Sequence, residues 1–187
     1  MNIQTQAPPH DDLQLAKAAH EDADAFAELY RRHLTRVYRY HAAHVGNVKD
    51  AEDLTSQTFM AALEGIGSFR GTGSFGAWLM GIATKKRAFF FRTHRFDAAI
   101  ESAQHVAAGM PTDKAVYQRI QTETISRALR QISPDRADAI SLVYFGGLSN
   151  AEAGQALGKS EAAVKMLVSR GLQDLRERTS LRMEAEQ

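Results

Sequence analysis

GLSNAEAGQALGKSEAAVKMLVSRGLQDLRER, residues 147–178, reads as two helices joined by a tight turn, the second longer, amphipathic and basic. Ser149 and Glu152 form an S-x-x-E capping box, in which each side chain satisfies an amide that the first helical turn leaves unpaired. Gly158 stands where a left-handed residue ends that helix, and Ser160 is placed to cap the next one. The second helix then runs without Gly or Pro until Gly171. Helix, three-residue turn and helix is the spacing of a helix-turn-helix, whose second helix can enter the DNA major groove. The spacing turns Val164, Leu167, Val168, Gly171, Leu172 and Leu175 inward and leaves Ala162, Lys165, Met166, Ser169, Arg170 and Gln173 on the other face. Small and basic side chains there can approach a groove closely and still reach phosphates and base edges. An ordinary helical hairpin with a solvated face shares this pattern, so on these residues alone both readings stand.

The whole chain bounds the choice. Its 187 residues, 44% of them hydrophobic, suffice for one large or two small domains with real cores. Lys+Arg 23 against Asp+Glu 22 gives a net charge of +1, so any argument for a polyanionic partner must rest on local patches. Cys is absent, which excludes disulfides, thiolate catalysis and cysteine zinc sites and fits a reducing compartment. The longest apolar stretch, residues 75–83, is far short of the ~20 residues a membrane span needs. The start, MNIQTQAPPHDD, lacks the basic opening and apolar run of a signal peptide. The expectation is a soluble cytoplasmic protein without membrane insertion.

Upstream of the hairpin the pattern stays helical. Residues 1–20 read as a polar, flexible arm, and periodicity begins near Ala23 with Phe26, Leu29, Tyr30, Leu34 and Val37. Asn47 is placed to cap a second helix whose first turns carry Asp50, Glu52 and Asp53, where the dipole favours acids. Ala51, Leu54, Thr58, Ala62 and Leu63 give that helix one apolar face. Gly65, Gly67, Gly71 and Gly73 break the pattern into a loop, and a third helix follows over residues 74–94. Residues 97–114 read as a linker, 115–180 as a second helical unit with Ser133-Pro134 opening an internal helix, and 181–187 as a tail. The fold class is therefore all-α, two small helical domains joined by a tether, with residues 21–96 forming the first.

A second basic patch lies at residues 84–96, TKKRAFFFRTHRF, where Lys85, Lys86, Arg87, Arg92 and Arg95 alternate with Phe89, Phe90 and Phe91. Cations beside aromatics suit a single strand whose bases stack or splay. Three consecutive Phe cannot all face one way on a helix, so at least one belongs to the core. Trp78 just upstream reads either as core or as a stacking platform. No metal site is expected, because neither His41 nor His44 converges with the acids of the next helix at ligand spacing. Catalytic residues and cofactors are expected to be none: no nucleophile–base pair, phosphate-cradling loop or dinucleotide fingerprint is present.

Taken together, these segments resemble a bacterial sigma factor of the extracytoplasmic-function type. AFAELYRRHLTRVYRY, DAEDLTSQTF and SFRGTGSFGAWLMGIATKKR resemble that family's region two, and ISPDRADAISLVYFGGLSNAEAGQALGKSEAAVKMLVSRGLQDLRE its region four. The resemblance covers residues 23–94 and 125–178 in the family's order. It implies a non-enzymatic initiation factor whose partners are core RNA polymerase, promoter DNA and an anti-sigma factor. Asp50, Asp53, Leu54, Gln57 and Phe59 would meet the polymerase clamp helices. Phe69, Arg70, Gly71 and Ser74, with Trp78, Lys85, Lys86, Arg87 and Arg92, would hold the melted minus-10 element. Lys159, Ser160, Glu161, Ala162, Lys165, Met166, Ser169 and Arg170 would read the minus-35 element.

Some positions depart from the family pattern. Ser56-Gln57 stands where Gln-Glu is common, Lys85 and Phe89 replace the usual Asn and Asp, and Met166-Leu167 interrupts a common T-V-K-S-R-L. The role transfers; a promoter sequence does not. Two other functions compete with it: a sigma-mimicking protein-interaction module that titrates partners, and a stand-alone helix-turn-helix regulator.

Overall fold

A computed structural model describes the backbone of residues 11–97 and 113–185, and the side chains of residues 11–93 and 120–178. Its elements begin and end largely where local chemistry places them. Helix α2, Ala23–Val45, starts at Asp22, whose carboxylate accepts from the Asp24 amide at 2.9 Å, and stops at Gly46 with φ 79°. Asn47 Oδ1 accepts from the Asp50 amide at 2.9 Å and opens α3, Val48–Gly65. Ser74 does the same for α4, Phe75–Asp97, accepting from the Ala77 amide at 3.1 Å. In the second half, α5 spans Asp113–Leu129 and α6 spans Pro134–Ile140. Ser133 has the extended backbone of a cap but makes no side-chain cap bond, so Pro134 with its missing N–H carries that start.

The expected hairpin is α7, Asn150–Leu157, and α8, Glu161–Ala185. The capping box is reciprocal: the Ser149 amide donates to Glu152 at 2.9 Å, and the Glu152 amide to Ser149 Oγ at 3.2 Å. Gly158 adopts φ 64°, and Ser160 Oγ caps α8 through the Ala163 amide at 3.2 Å. Among the described residues there is no strand.

Three features differ from the sequence reading. Helix α1, Asp12–Ala18, lies inside the segment read as an arm, and Leu15, Ala16 and Ala19 are buried in the main core. Leu63, assigned to the apolar inner face of α3, is instead half exposed. Helix α6 runs into a π-helical turn, Ser141–Phe145, closed by the Gly146 amide on the Ser141 carbonyl at 2.8 Å. The expected linker falls largely on residues 98–112, outside the described residues, as does the arm before residue 11.

The two helical halves also share one core. Leu29, Val37 and Tyr40 of α2 and Phe75, Leu79 and Met80 of α4 cluster with Ala139, Leu142, Leu148, Ala153 and Val164 of the second half. Each fully buried Leu or Val there contributes roughly 1.5–3 kcal/mol, so the packing that joins the halves is substantial. The expected two helical domains are present, and periodicity, which identifies an apolar face but not its partner, did not show that they pack on each other.

The turn of the hairpin depends on a glycine that capping rules do not flag. A Cβ on Gly154 would lie 2.6 Å from the Lys159 carbonyl, a backbone atom, whereas one on Gly158 would meet nothing within 4 Å. Gly154→Ala is expected to cost about 2–3 kcal/mol through overpacking. Gly158→Ala is expected to cost only about 1 kcal/mol of left-handed strain. Thermal melts of the two variants decide it, and the reverse order would show that the turn yields at Gly154.

Candidate nucleic-acid interface

Helix α8 buries Val164 completely and half-buries Leu167 and Val168 against the core, which fixes its rotation. As a result Ser160, Glu161, Ala162, Lys165, Met166, Ser169 and Arg170 are all exposed, and Lys159 stands at the turn before them. Lys165 Nζ pairs with Glu161 across one helical turn at 2.6 Å, and Lys159 Nζ reaches Asp135 of α6 at 3.3 Å. Met166 is 50% exposed, a large apolar side chain held out between cations. Leu167 takes an inward position, so the residue that replaces a common Arg adds packing in place of a groove contact.

The loop between α3 and α4 builds the second surface. Gly71 and Gly73 take φ of 70° and 119°, conformations that let the chain fold back over the start of α4. Phe69, Phe75 and Trp78 form a triad with ring centroids 5.5–5.6 Å apart. Phe75 is buried while Phe69 and Trp78 are half-buried, so Trp78 is both packed and available at one edge. A cavity of about 310 Å³ opens beside it, lined by Phe69, Arg70, Ser74, Trp78 and Lys85. Gln155 and Ala156 of α7 line it as well, and Ser74 Oγ donates to Glu152 at 2.7 Å. Burial pushes the Glu152 carboxyl up, yet the hydrogen bonds from Ser149 and Ser74 outweigh it and hold the group below its ordinary value.

The basic residues of α4 part company. Lys85 and Arg92 are exposed and Lys86 is half-buried, with Arg92 standing over the exposed Phe89 ring at 5.3 Å. Phe90 and Phe91 pack instead on a cluster of Ala42, Val45, Ala51 and Leu54, which separates the three Phe as helical geometry requires. Arg87 is turned inward. Its Nη2 donates to Asp138 of α6 at 2.8 Å, and Asp138 also accepts from the Tyr40 hydroxyl at 3.3 Å. Burial pushes the Asp138 carboxyl up to about 6, against the pull of the Arg87 guanidinium. Burial, reinforced by Arg87, holds the neighbouring His41 imidazole down at about 3 and lowers His44 as well. No spacing rule predicts this cluster; its sequence signal is one carboxylate inside the apolar run ADAISLV.

On α3 the five residues expected to meet the polymerase differ in exposure. Asp53 and Gln57 are exposed, and Met60 and Glu64 continue the same stripe at intervals of three and four. Asp50 is half-buried and receives a hydrogen bond from Asn47 Nδ2 at 2.7 Å. Leu54 and Phe59 lie beneath this face, 1% and 4% exposed, and Phe59 is fixed by the Tyr30 ring at 4.5 Å. Met60 and Leu63 are large apolar side chains exposed on α3; sequence reasoning did not single out Met60 and assigned Leu63 to the inner face.

Two family descriptions match the chain in order: Sigma-70 region 2 over residues 29–96 and Sigma-70, region 4 over residues 122–175. The ECF RNA polymerase sigma factor BldN of Streptomyces coelicolor is 36% identical over 159 residues, which are 82% of this chain and 60% of BldN. The RNA polymerase sigma factor CarQ of Myxococcus xanthus is 32% identical over 157 residues, 82% of this chain and 88% of CarQ. CnrH, solved in complex with the cytosolic domain of CnrY, superposes with a TM-score of 0.72 over 91% of this chain and 97% of that one. At 22% identity that likeness shows a shared fold. The chain thus spans 60% of the length of BldN. No helix among the described residues is long and apolar enough to cross a membrane.

Proposed function

The chain belongs to the sigma-70 family, in its extracytoplasmic-function group, and from that premise we propose that it joins core RNA polymerase and directs it to promoters. It acts as an initiation factor in the cytoplasm and carries no reaction of its own. The observation that carries this reading is the exposed face of α8, on which the helix-turn-helix presents all its candidate base- and phosphate-contacting side chains together. In this reading α8 lies in the major groove of the minus-35 element. Lys165 and Arg170 meet phosphates or base edges there, and Met166 offers an apolar contact to a thymine methyl. The triad of Phe69, Phe75 and Trp78, with Lys85, receives the melted minus-10 strand. The Asp53–Gln57–Met60 stripe meets the polymerase, with Leu54 and Phe59 shaping it from below. An anti-sigma protein is the partner of the idle state.

Run-off transcription with the cognate core enzyme tests the reading. Promoter-dependent transcript is the expected result, and failure to pull down polymerase would end it. Polymerase binding without transcription would favour the sigma-mimicking module instead. At residue level, Lys165→Ala is expected to lower the salt dependence of upstream-duplex binding by one phosphate, about 0.9 in the log–log slope. An unchanged slope would remove Lys165 from the phosphate contacts.

A further inference from the structure

We propose that α1 is a positioning element for the DNA-facing loop, acting through Leu13 and Asp12; the inference rests on reading that loop as the minus-10 pocket. A seven-residue helix has no stability of its own, so α1 exists because Leu15, Ala16 and Ala19 dock it on the core. Leu13 and Asp12 take no part in that docking cluster. Leu13 reaches the loop that borders the pocket, and Asp12 reaches, through His33, the Phe75 ring packed behind the pocket's Phe69 and Trp78.

Leu13 meets the loop directly. A Cβ on Gly71 would lie 2.7 Å from Leu13 Cδ1, so this side chain fills the space beside the left-handed glycine. His20, just past α1, stands in the same relation to Gly67, where a Cβ would lie 2.6 Å from the imidazole Cε1. Asp12 reaches the aromatic triad through one intermediary. Its carboxylate lies 2.7 Å from His33 Nε2 and accepts from Arg32 Nη1 at 3.0 Å. The buried His33 ring sets its edge on Phe75 at 5.2 Å, and Phe75 in turn packs on Phe69 and Trp78. Burial would push the Asp12 carboxyl up, but His33 and Arg32 together hold it low; burial also lowers the His33 imidazole, so the ring bonds the carboxylate as a neutral donor and Arg32 supplies the opposing charge.

Such support is needed because of what the loop is made of. Gly67, Gly71 and Gly73 leave the backbone more freedom than any other residues would. Capture of an unpaired base requires donors and rings held within about 0.5 Å of their working positions. Leu13 restrains the loop, and the Asp12–His33 pair restrains the triad. The matched region 2 begins at residue 29, so α1 lies ahead of it in the chain.

Holoenzyme reconstituted from the full chain and core polymerase can be assayed on a promoter it uses, on the same promoter with one minus-10 base changed, and on one with a minus-35 base changed. Initiation rates give two discrimination ratios. Leu13→Ala should lower the minus-10 ratio about fivefold, a large part of what one mismatched position ordinarily costs. The minus-35 ratio should stay at the wild-type value, and Leu13→Met should keep both. Asp12→Asn removes no apolar surface and should lower the minus-10 ratio in the same direction; it decides the matter if Leu13→Ala does not fold. A purely structural α1 would reduce initiation on all three templates in parallel with both ratios intact, and that result overturns the proposal. A wild-type holoenzyme with no preference at either element would instead end the promoter reading, and the inference with it.

Discussion

Joining α4 to α7 by a disulfide is expected to abolish promoter-dependent transcription, and reduction to restore it. The native chain has no cysteine, so Gly81→Cys with Ala156→Cys introduces a single possible bridge. A Cβ on Gly81 would stand 3.8 Å from the Ala156 Cα and 3.5 Å from its carbonyl oxygen, ordinary contact that leaves the helices in place. The Ala156 Cβ itself lies beyond 4 Å, and a disulfide holds its Cβ atoms roughly 3.5–4.5 Å apart, so the bridge closes only with α7 held against α4. With the bridge closed, Gln155 and Ala156 remain over the cavity beside Trp78, and a splayed base has nowhere to enter. Loss of more than about tenfold is expected in open-complex formation, equivalent to roughly 1.4 kcal/mol or more of lost binding to the melted strand. Upstream duplex binding should survive, because the reading face of α8 is exposed in the same closed arrangement. Equal transcription from oxidised and reduced protein, with the bridge verified by mass, would show that α7 need not leave the pocket.

What the sequence made legible was local. The capping box at Ser149, the left-handed Gly158 and the Asn47 cap each involve residues two to four positions apart, so spacing alone reveals them. The exposed face of α8 was legible for the same reason: a 3.6-residue period separates Lys165 and Ser169 from Val164 and Val168. Long-range pairings were not. Asp138 is 51 positions from Arg87 and 98 from Tyr40, and nothing in a helical period marks it as a buried carboxylate. Helix α1 escaped because seven residues with few large apolar side chains carry almost no periodic signal, and its stability is wholly tertiary. Leu54 and Phe59 show the converse error. The resemblance implies that they meet the polymerase, whereas the structure buries both beneath the α3 surface, which a motif match cannot reveal.

Arg87→Met should destabilise the protein by about 3 kcal/mol at pH 8, because removing one partner leaves the Asp138 carboxylate buried and uncompensated. The loss should shrink toward about 1 kcal/mol near pH 5, for a reason of linkage. In the folded chain the Asp138 carboxyl is already raised from its ordinary 3.8 to about 6, with burial as the main cause and Arg87 opposing it. Without the guanidinium it rises further. A raised carboxyl favours the folded state while protonated, so its contribution is full below the ordinary value and disappears as pH climbs through the folded one. The variant is therefore penalised most at alkaline pH. Low values of His41 and His44, set by burial first and by Arg87 second, weaken the wild type as pH falls below 6.5; removing Arg87 lets both rise, which relieves the variant at low pH and shrinks its penalty there in the same direction. Adding Asp138→Asn keeps a neutral partner for the Tyr40 hydroxyl and should recover most of the loss at pH 8 while flattening the pH dependence. Denaturant melts of the four combinations at pH 5 and pH 8 measure the coupling; a penalty equal at both would show that Asp138 does not titrate with this cluster. The double variant also separates packing from the DNA contact that the family resemblance implies for Arg87. With packing restored, a remaining defect in promoter opening would support that contact, and full activity would leave Arg87 a purely structural residue.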